Sequence, residues 1–363
     1  MHIPAVLRAY AASSVLWLVH FALRHPACPP GILSRFAGGR DLPSRRLALQ
    51  NPACPREVLA RHARHEDAFW REIVAENASC PQDALAALAV DAHPGVRGAA
   101  AKNPATPVNA LQKLAADPDP WVVRKLAANP ALPEALGRRL AATGDGPVME
   151  ELAANPACPQ DLLAALAAGN GGFAAALARN PAAPPPLLTR LAAGEKTAVR
   201  AAVARNGNCP PILLANLAGD ADRGVRAAVA ANPRTPPATL ARLAGDGDGT
   251  VRAGVAGNTS TPAAVLALLP EDGDYRVRAR LAHNPCCPAG AVARLLEDAY
   301  QTTRFRALVH PACNARLVAA RALVLAHSLD RRGREILHDL AYHPGFPPYL
   351  RPLLFLAGRR VAP

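Results

Sequence analysis

The sequence predicts an all-α fold, a solenoid of about twelve tandem repeats that each contain two short helices. Three observations carry this prediction: a repeated residue pattern with a period of 26, fixed places for Pro and Leu within it, and the composition. Half of the 363 residues are hydrophobic but only 4% are aromatic, and 37 are Pro and 25 Gly. This composition indicates a core of Ala, Leu and Val with frequent chain breaks, which suits short helices and little sheet.

Asparagine marks the start of each repeat. Ten such residues follow one another at intervals of 26 residues, with a single interval of 25, and two histidines extend the series. The starts are His25, Asn51, Asn77, Asn103, Asn129, Asn155, Asn180, Asn206, Asn232, Asn258, Asn284 and His310. We number positions within a repeat from this residue as position 0.

Proline defines the boundaries of the first helix. It stands at position 1 in nine repeats and at position 4 in eleven of the twelve. At position 4 it suits the first turn of a helix, and a preceding Thr such as Thr106 can cap that helix. At position 1 it ends the helix before it, and the Asn side chain can close the turn. Leu at positions 8 and 11 gives this helix, over positions 4–12, one apolar face.

A second apolar pair at positions 19 and 23 predicts the second helix, over positions 17–25. Val225 with Val229 and Val251 with Val255 are examples. Each helix is then about 13 Å long at about 1.5 Å per residue, too short to persist alone in water. The helices must therefore stack, and each repeat is stabilised by its neighbours.

The two ends of the chain depart from the repeat. Residues 1–24 keep the register and are predicted to be an N-terminal capping repeat, followed by eleven repeats over 25–309. The segment 5–23, which includes the apolar stretch 15–19, also resembles a signal core or a membrane anchor, but Arg8 and His20 interrupt this segment and the first-repeat interpretation is favoured. Residues 310–363 are predicted to be capping helices with an insertion.

The repeated phrase resembles the leucine-rich repeat variant family. It is represented by Asn103-Pro-Ala-Thr-Pro with Leu111, Leu114 and Val122, and by Asn232-Pro-Arg-Thr-Pro with Leu240. The resemblance implies alternating α and 3₁₀ helices in a right-handed superhelix, related to HEAT-like repeats. One branch of that family has an N-terminal cysteine cluster that holds an iron–sulfur centre. No comparable cluster precedes the repeats here, so we expect no cofactor.

The cysteines follow the repeat. Seven of the eight occupy position 3, a place that Thr, Ala or Leu fills in other repeats, so packing explains them better than a metal or disulfides. They are Cys28, Cys54, Cys80, Cys158, Cys209, Cys287 and Cys313. We expect free thiols in a reducing compartment, the cytoplasm. His25 and His310 take the place of the repeat Asn, and the pairs His62–His65 and His338–His343 lack a third ligand.

Arginine at position 20 forms the candidate interaction stripe. Its members are Arg45, Arg71, Arg97, Arg200, Arg226, Arg252, Arg278 and Arg304. Stacking would align them, and a polyanion could lie on such a stripe. The favoured alternative is structural, because an Asp such as Asp67 or Asp248 stands four residues before five of these arginines and can pair with them on the same helix.

The formal charge is +13, with 37 Arg among 41 basic residues. The positive charge that has no acidic counterpart nearby in sequence lies at the C-terminal end. From Arg304 onward there are ten Arg and three acidic residues, a local net charge of +7. This candidate basic end includes Arg331, Arg332, Arg334, Arg359 and Arg360. If nucleic acid binds anywhere, this end is the first place to look, although few aromatics are available for base stacking.

The function predicted first is a non-catalytic scaffold that binds a protein along the solenoid, with the chain itself a monomer outside the membrane. Nucleic-acid binding is the alternative. An enzyme is not expected, because no nucleophile, base and orienting group form a known motif. Helical-repeat DNA glycosylases offer an analogy in which Trp70 and Trp121 would stack on a damaged base. However, Trp70 lies at position 19 and Trp121 at position 18, where core residues are expected.

Overall fold

The computed structural model of the chain describes residues 3–169, 172–308 and 310–313. In these residues it contains 24 α-helices, one 3₁₀ helix and no strand, which confirms the all-α repeat fold. The chain divides into two compact units, an N-terminal unit of residues 1–183 and a C-terminal unit of residues 184–363.

Helices of the N-terminal unit are α1 (Ile3–Ala11), α2 (Leu16–Arg24), α3 (Pro30–Ala37), α4 (Leu42–Gln50), α5 (Arg56–His62), α6 (Ala68–Glu76), α7 (Gln82–Leu88), α8 (Pro94–Lys102), α9 (Val108–Leu114), α10 (Pro120–Ala127), α11 (Glu134–Ala141), α12 (Gly146–Ala154), α13 (Gln160–Ala168) and α14 (Ala174–Arg179). Those of the C-terminal unit are α15 (Pro185–Ala192), α16 (Thr197–Arg205), α17 (Pro211–Leu217), α18 (Arg223–Ala231), α19 (Pro237–Leu243), α20 (Gly249–Gly257), α21 (Ala263–Leu266), α22 (Tyr275–Leu281), α23 (Ala289–Leu295) and α24 (Gln301–Leu308). Odd numbers are the first helices of the repeats and even numbers the second helices.

The first helices begin one residue later than the sequence predicts. The Pro at position 4 is the residue before the helix, with extended backbone (φ −58° and ψ 138° at Pro55), and α5 covers positions 5–11. The predicted capping role of Thr is wrong, because Oγ1 of Thr106 donates instead to the carbonyl of Ala100 in the preceding helix, at 2.6 Å. The same carbonyl, in the last turn of α8, also accepts from the amide of Asn103 at 3.2 Å.

Most of the second helices cover positions 17–25, as predicted, while α10, α14, α22 and α24 are shorter. An Asp at position 16 caps several of them. In α18 the Asp222 carboxylate accepts from the amides of Gly224 and Val225, which have no partner within the helix. Residues 15–24 follow the same plan, with α2 at Leu16–Arg24. Within the described ranges, no helix has the length and apolar content needed to cross a bilayer.

The core consists of the predicted aliphatic positions. Leu111 and Leu114 of α9 and Val122 of α10 are each at most 1% exposed. Val251 and Val255 of α20 are fully buried in the same way. Since most of the helices have nine residues or fewer, burial of these faces against neighbouring repeats supplies the stability that the isolated helices lack.

A ladder of buried asparagines joins successive repeats. The Asn129 side chain donates through Nδ2 to the carbonyls of Ala101 and Asn103 in the preceding repeat, at 2.7 and 3.0 Å. Its Oδ1 accepts from the amide of Ala131 at 2.8 Å, which is the predicted turn closure. Equivalent bonds are formed by Asn51, Asn77, Asn103, Asn155, Asn180, Asn232, Asn258 and Asn284. The repeat Asn is therefore both a turn residue and a link between repeats.

The alternation of α and 3₁₀ helices implied by the family resemblance is not found in the described residues. Both helices of nearly every repeat are α, and the single 3₁₀ helix covers Leu269–Glu271, after the short α21. Pro270 within this turn is buried, and it lacks the amide that an α-helix would use. The capping units predicted at 1–24 and 310–363 stay predictions, and the second lies largely outside the described residues.

Candidate interaction surface

The arginines at position 20 form a second ladder between repeats. In the N-terminal unit, Arg97 of α8 donates from Nε and Nη2 to both carboxylate oxygens of Asp117, at 2.7 and 3.0 Å. Its Nη1 donates to the carbonyls of Asp91 and Ala92 in its own repeat. The same clamp is formed by Arg71 with Asp91, Arg200 with Asp220, Arg226 with Asp246, Arg252 with Asp272 and Arg278 with Asp298.

The predicted partner of these arginines is wrong. The Asp four residues earlier is a helix cap: Asp67 accepts from the amide of Phe69 and Asp248 from that of Thr250. The bonded carboxylate lies 20 residues later, in the turn of the next repeat. The guanidinium groups of the candidate stripe are thus engaged in structure, and Arg97 is only 14% exposed in its side chain. Anion binding by this stripe stays a hypothesis.

Two members of the stripe differ. In Arg45, Nε and Nη2 both donate to the carbonyl of Gly39, and the guanidinium lies over the ring of Trp70 at 5.0 Å. Arg304 is buried, and its Nη1 donates to the carbonyls of Asp298 and Ala299. The candidate basic end, Arg331, Arg332, Arg334, Arg359 and Arg360, lies outside the described residues.

The ladder predicts a loss of stability in acid. The Arg226 guanidinium, bonded to the Asp246 carboxylate, lowers the pKa of that carboxyl below its ordinary value of 3.8. A lowered folded pKa stabilises the fold fully above the ordinary value, and this stabilisation is lost as the pH falls through the folded pKa. We expect the difference in unfolding free energy between the wild type and Asp246→Asn to be constant above about pH 5.

Below about pH 4 the same difference should shrink. Urea unfolding of both proteins at a series of pH values measures it. Asp161→Asn is the control. The Asp161 carboxylate is paired with Arg138, but both of these side chains are about half exposed or more. A pH-independent difference for Asp246→Asn would contradict a stabilising role for the ionised carboxylate.

The second helices pack more closely on each other than the first helices do, within each unit. Small residues permit this approach. A Cβ added at Gly254 of α20 would lie 2.8 Å from the Cβ of Ala230 of α18. In α8 a Cβ at Gly98 would collide with the indole of Trp121 from the next repeat. The outer face of the second helices therefore has a low floor of Gly and Ala, on which larger side chains form walls.

In the C-terminal unit this face contains a groove of about 620 Å³, which we call the cationic groove. Its floor consists of small residues of α18 and α20, namely Ala227, Ala231, Ala253, Gly254 and Gly257. Its walls are Thr250, Tyr275, Arg276, Ala279, Arg280 and Arg306. None of these lining residues is acidic, so the groove carries positive charge.

In the N-terminal unit the corresponding face contains a groove of about 430 Å³, which we call the tryptophan groove. Gly98 and Ala99 form its floor, and Trp121 stands beside them, 41% exposed. Lys125 lies over the indole at 5.1 Å. The other charged lining residues are Glu72, Glu76 and Lys102. Two acidic and two basic side chains make this groove electrostatically balanced, unlike the cationic groove.

Sequence reasoning missed both grooves. It placed Trp121 in the core, whereas only Trp70 is buried, at 4% exposure. Position 18 is a surface position, as the polar Thr250 and Arg276 at the same place indicate. The residues at position 18 of the other repeats could therefore have predicted, from the sequence, that Trp121 is exposed. The juxtaposition of Arg280 with Arg306, both at position 22, was also available from the register.

Six of the seven position-3 cysteines are buried, and all seven are free, as expected for packing. Cys313 is half-buried and Cys286, at position 2, is exposed. Burial raises the pKa of the Cys80 thiol to about 12 and that of Cys54 to about 11. Thiols with such pKa values are weak nucleophiles at neutral pH.

The histidines serve as polar links in the turns and helices. His310 replaces the repeat Asn, with Nε2 against the carbonyl of Asn284 at 2.7 Å and Nδ1 accepting from Ala312. The two ring nitrogens of His62 lie 2.9 and 3.1 Å from the carbonyls of Val58 and Ala37. In the part of the chain that the structure describes, no three His, Cys, Asp or Glu side chains are grouped as metal ligands would be.

Three solved structures illustrate what the chain is similar to. A leucine-rich repeat variant with a novel repetitive structural motif is 21% identical over 75% of this chain and 87% of its own, with a TM-score of 0.27. An engineered protein is 15% identical over 98% of both chains, with a TM-score of 0.21. Kap121p bound to RanGTP is 13% identical over 94% of this chain and 48% of its own, with a TM-score of 0.30. A search of curated proteins found no match.

Family models assign the repeats. The leucine-rich repeat variant domain matches residues 149–205 and 172–232, and the leucine-rich repeat variant matches residues 223–248. The residues matched have the same Asn, Pro, Leu and Val positions as the repeats on either side. Structure and pattern agree throughout the described repeats, and residues 149–248 match models of the leucine-rich repeat variant family of helical repeat proteins.

Proposed function

We propose that this protein is a non-catalytic interaction scaffold that binds a protein partner along the outer face of its second helices. The observation that carries the proposal is the pair of grooves, one in each unit, with floors of Gly and Ala and walls of aromatic and charged residues. Interfaces are enriched in aromatic residues and Arg. Trp121 and Tyr275 remain 41% and 46% exposed although the sequence has few aromatics.

The floors favour a polypeptide ligand. Over Ala253 and Gly254 in the cationic groove no long side chain fills the floor, so a partner's main chain can come close to the helices. In the tryptophan groove the Trp121 indole lies on Gly98 and offers a partner an aromatic surface instead. Rigid helical scaffolds of this kind bind with little rearrangement, which lowers the entropic cost of association. We further propose that the scaffold acts as a monomer in the cytoplasm, where its free thiols stay reduced.

Nucleic-acid binding is supported less well. Counterion release requires several accessible cations along a track, but the guanidinium groups of Arg71, Arg97 and Arg226 are each bonded to a carboxylate and to main-chain carbonyls. The tryptophan groove adds acidic side chains, Glu72 and Glu76. These would repel a phosphate backbone.

Capture from a lysate of the source organism tests which face binds. The full chain is immobilised, and the captured proteins are quantified by mass spectrometry for the wild type and two variants. The groove variant Trp121→Ala/Ala231→Trp empties one groove and fills the other. The matched control Val108→Ser/Ile212→Ser changes two exposed apolar residues of the first helices, α9 and α17.

We expect the groove variant to lower specific capture at least about fivefold, because central aromatic contacts dominate interface energies. The control variant should retain capture within about twofold. Circular dichroism establishes that both variants stay folded. Loss with the first-helix variant alone would overturn the proposed face, and a wild type that captures nucleic acid but no protein would overturn the proposed function.

A further inference from the structure

The cationic groove contains arginines that the two ladders do not use. Arg276, Arg280 and Arg306 are exposed and come from two consecutive second helices, α22 and α24. Arg276 is paired with Asp274, Nη2 to Oδ2 at 2.7 Å, and Nη1 of Arg306 donates to the carbonyl of Ala279. Among the described residues, no hydrogen bond or ion pair engages the guanidinium of Arg280.

The lining of the groove, within the residues that the structure describes, contains no carboxylate. The acidic residue nearest in sequence to its lining, Asp274, compensates one of the three arginines and also caps α22. Asp248 pairs with Arg223. Arg280 and Arg306 therefore leave a net positive charge above a floor of Ala and Gly. The tryptophan groove, by contrast, has balanced charge, so the positive charge is a property of this groove rather than of the second-helix face in general.

The remaining wall is aromatic and held in place. The ring of Tyr275 stacks on that of Tyr300, with centroids 4.8 Å apart and planes at 27°. Arg278 in turn lies over Tyr300 at 5.7 Å and is fixed by its clamp on Asp298. A ligand in the groove would therefore meet the fixed ring of Tyr275 at the start of α22, Arg280 further along the same helix, and Arg306 of α24.

Carboxylates are the ligands that suit this geometry. A guanidinium binds a carboxylate through two parallel hydrogen bonds, and Arg280 offers its donors without having to break an existing bond. The low floor of Ala253 and Gly254 has room for a main chain, and an aliphatic or aromatic side chain can pack on Tyr275. A nucleic acid would meet few available cations here, since affinity for phosphates grows with their number.

We propose that the cationic groove binds an acidic segment of a protein partner, with its carboxylates on Arg280 and Arg306 and its main chain over the Ala and Gly floor. This inference rests on the proposed function and names the chemistry of the partner at one groove.

Fluorescence anisotropy with the full chain tests the proposal directly. The probes are a fluorescein-labelled oligo-glutamate peptide containing one Leu, a Gln-for-Glu peptide of the same length, and an oligo-deoxythymidine of the same charge. Arg280→Glu/Arg306→Glu reverses the charge of the groove. Arg242→Glu/Arg294→Glu is the matched control, with the same change in net charge on exposed arginines of the first helices α19 and α23.

We expect the glutamate peptide to bind the wild type and the Gln peptide not to bind. The groove variant should weaken binding at least about tenfold, and the control at most about twofold, because close charge pairs contribute more than distant ones. The milder Arg280→Gln, which removes no existing hydrogen bond, should weaken binding about threefold or more. Absence of binding, or equal losses in groove and control variants, would overturn the proposal, as would tighter binding of the oligo-deoxythymidine that the groove variant abolishes.

The lysate experiment separates the two proposals. If capture falls with Trp121→Ala/Ala231→Trp but is unchanged with Arg280→Glu/Arg306→Glu, the acidic-segment proposal fails and the scaffold proposal stands. If no second-helix variant changes capture, both fail. Loss of acidic partners alone with the charge-reversed variant would support both.

Discussion

Replacing Asn129 by Ala is expected to lower the free energy of unfolding by about 3 kcal/mol, since the substitution removes three hydrogen bonds that contribute about 1 kcal/mol each. The side chain is fully buried. Its Nδ2 donates to the carbonyls of Ala101 and Asn103, and its Oδ1 accepts from the amide of Ala131. The buried Ala101 carbonyl loses its bond to Asn129 in the variant, whereas the Asn103 carbonyl still accepts from the amide of Thr106 at 3.1 Å. Urea or thermal unfolding followed by circular dichroism measures the effect.

Two further substitutions distinguish hydrogen bonding from simple packing. Asn129→Asp is nearly isosteric but offers no donor, so it sets carboxylate oxygens against two carbonyl oxygens. We expect it to destabilise more than Ala, by about 4 kcal/mol or more. Asn129→His should cost only about 1–2 kcal/mol, because an imidazole keeps one donor and one acceptor. His310 uses both ring nitrogens in this way at the equivalent position.

The control for this series is Asn216→Ala, an exposed asparagine on α17. It should change stability by less than about 0.5 kcal/mol. A rank order in which Asp is tolerated better than Ala, or His no better than Ala, would contradict the donor role of the asparagine ladder. Equal effects at Asn129 and Asn216 would contradict it as well.

The period was enough to predict the helices and their buried faces. Pro at position 4, Leu at 8 and 11 and the apolar pair at 19 and 23 each act within a few residues of the chain, where propensity and periodicity apply. The turn closure by the repeat Asn was predicted for the same reason. Its bonds to carbonyls 26 and 28 residues earlier were not, because they depend on how neighbouring repeats are stacked.

The arginine ladder shows the same limit and also a signal that was overlooked. Local reasoning paired Arg with the Asp one helical turn before it. The true partner, 20 residues later, is present for six of the eight arginines. For Arg45 the equivalent residue is His65, and its guanidinium turns to Gly39 and Trp70 instead. The joint occurrence of Arg and Asp at a spacing of 20 was readable from the sequence.

The grooves depend on side chains at positions 18 and 22, which vary from repeat to repeat. Trp121 and Arg276 hold one of these positions, and Lys125, Arg280 and Arg306 the other. A family pattern does not specify the residues at such variable positions, since they contribute little to the core. The scaffold is therefore predictable from what the repeats share, and the candidate site from where they differ.

The interaction between Arg97 and Asp117 is expected to show a coupling of about 2 kcal/mol in a double-mutant cycle. Each single substitution, Arg97→Ala or Asp117→Ala, should cost about 2–3 kcal/mol, because it leaves a charged group with few partners in a mostly buried place. The side chains are 14% and 4% exposed and are joined by two hydrogen bonds. The double variant should cost little more than either single one.

The matched control is the pair Arg124–Glu151, which also joins consecutive repeats, here through the second helices α10 and α12, but is 45% and 29% exposed. Its coupling should be small and should vanish in high salt, whereas the coupling of Arg97 with Asp117 should persist, because ions screen exposed charges far more than buried ones. Equal couplings would mean that burial does not strengthen the ladder. A ladder that resists salt would hold consecutive repeats in a fixed register. A fixed register keeps the Trp121 indole against Gly98 and places Arg280 and Arg306 on the same groove.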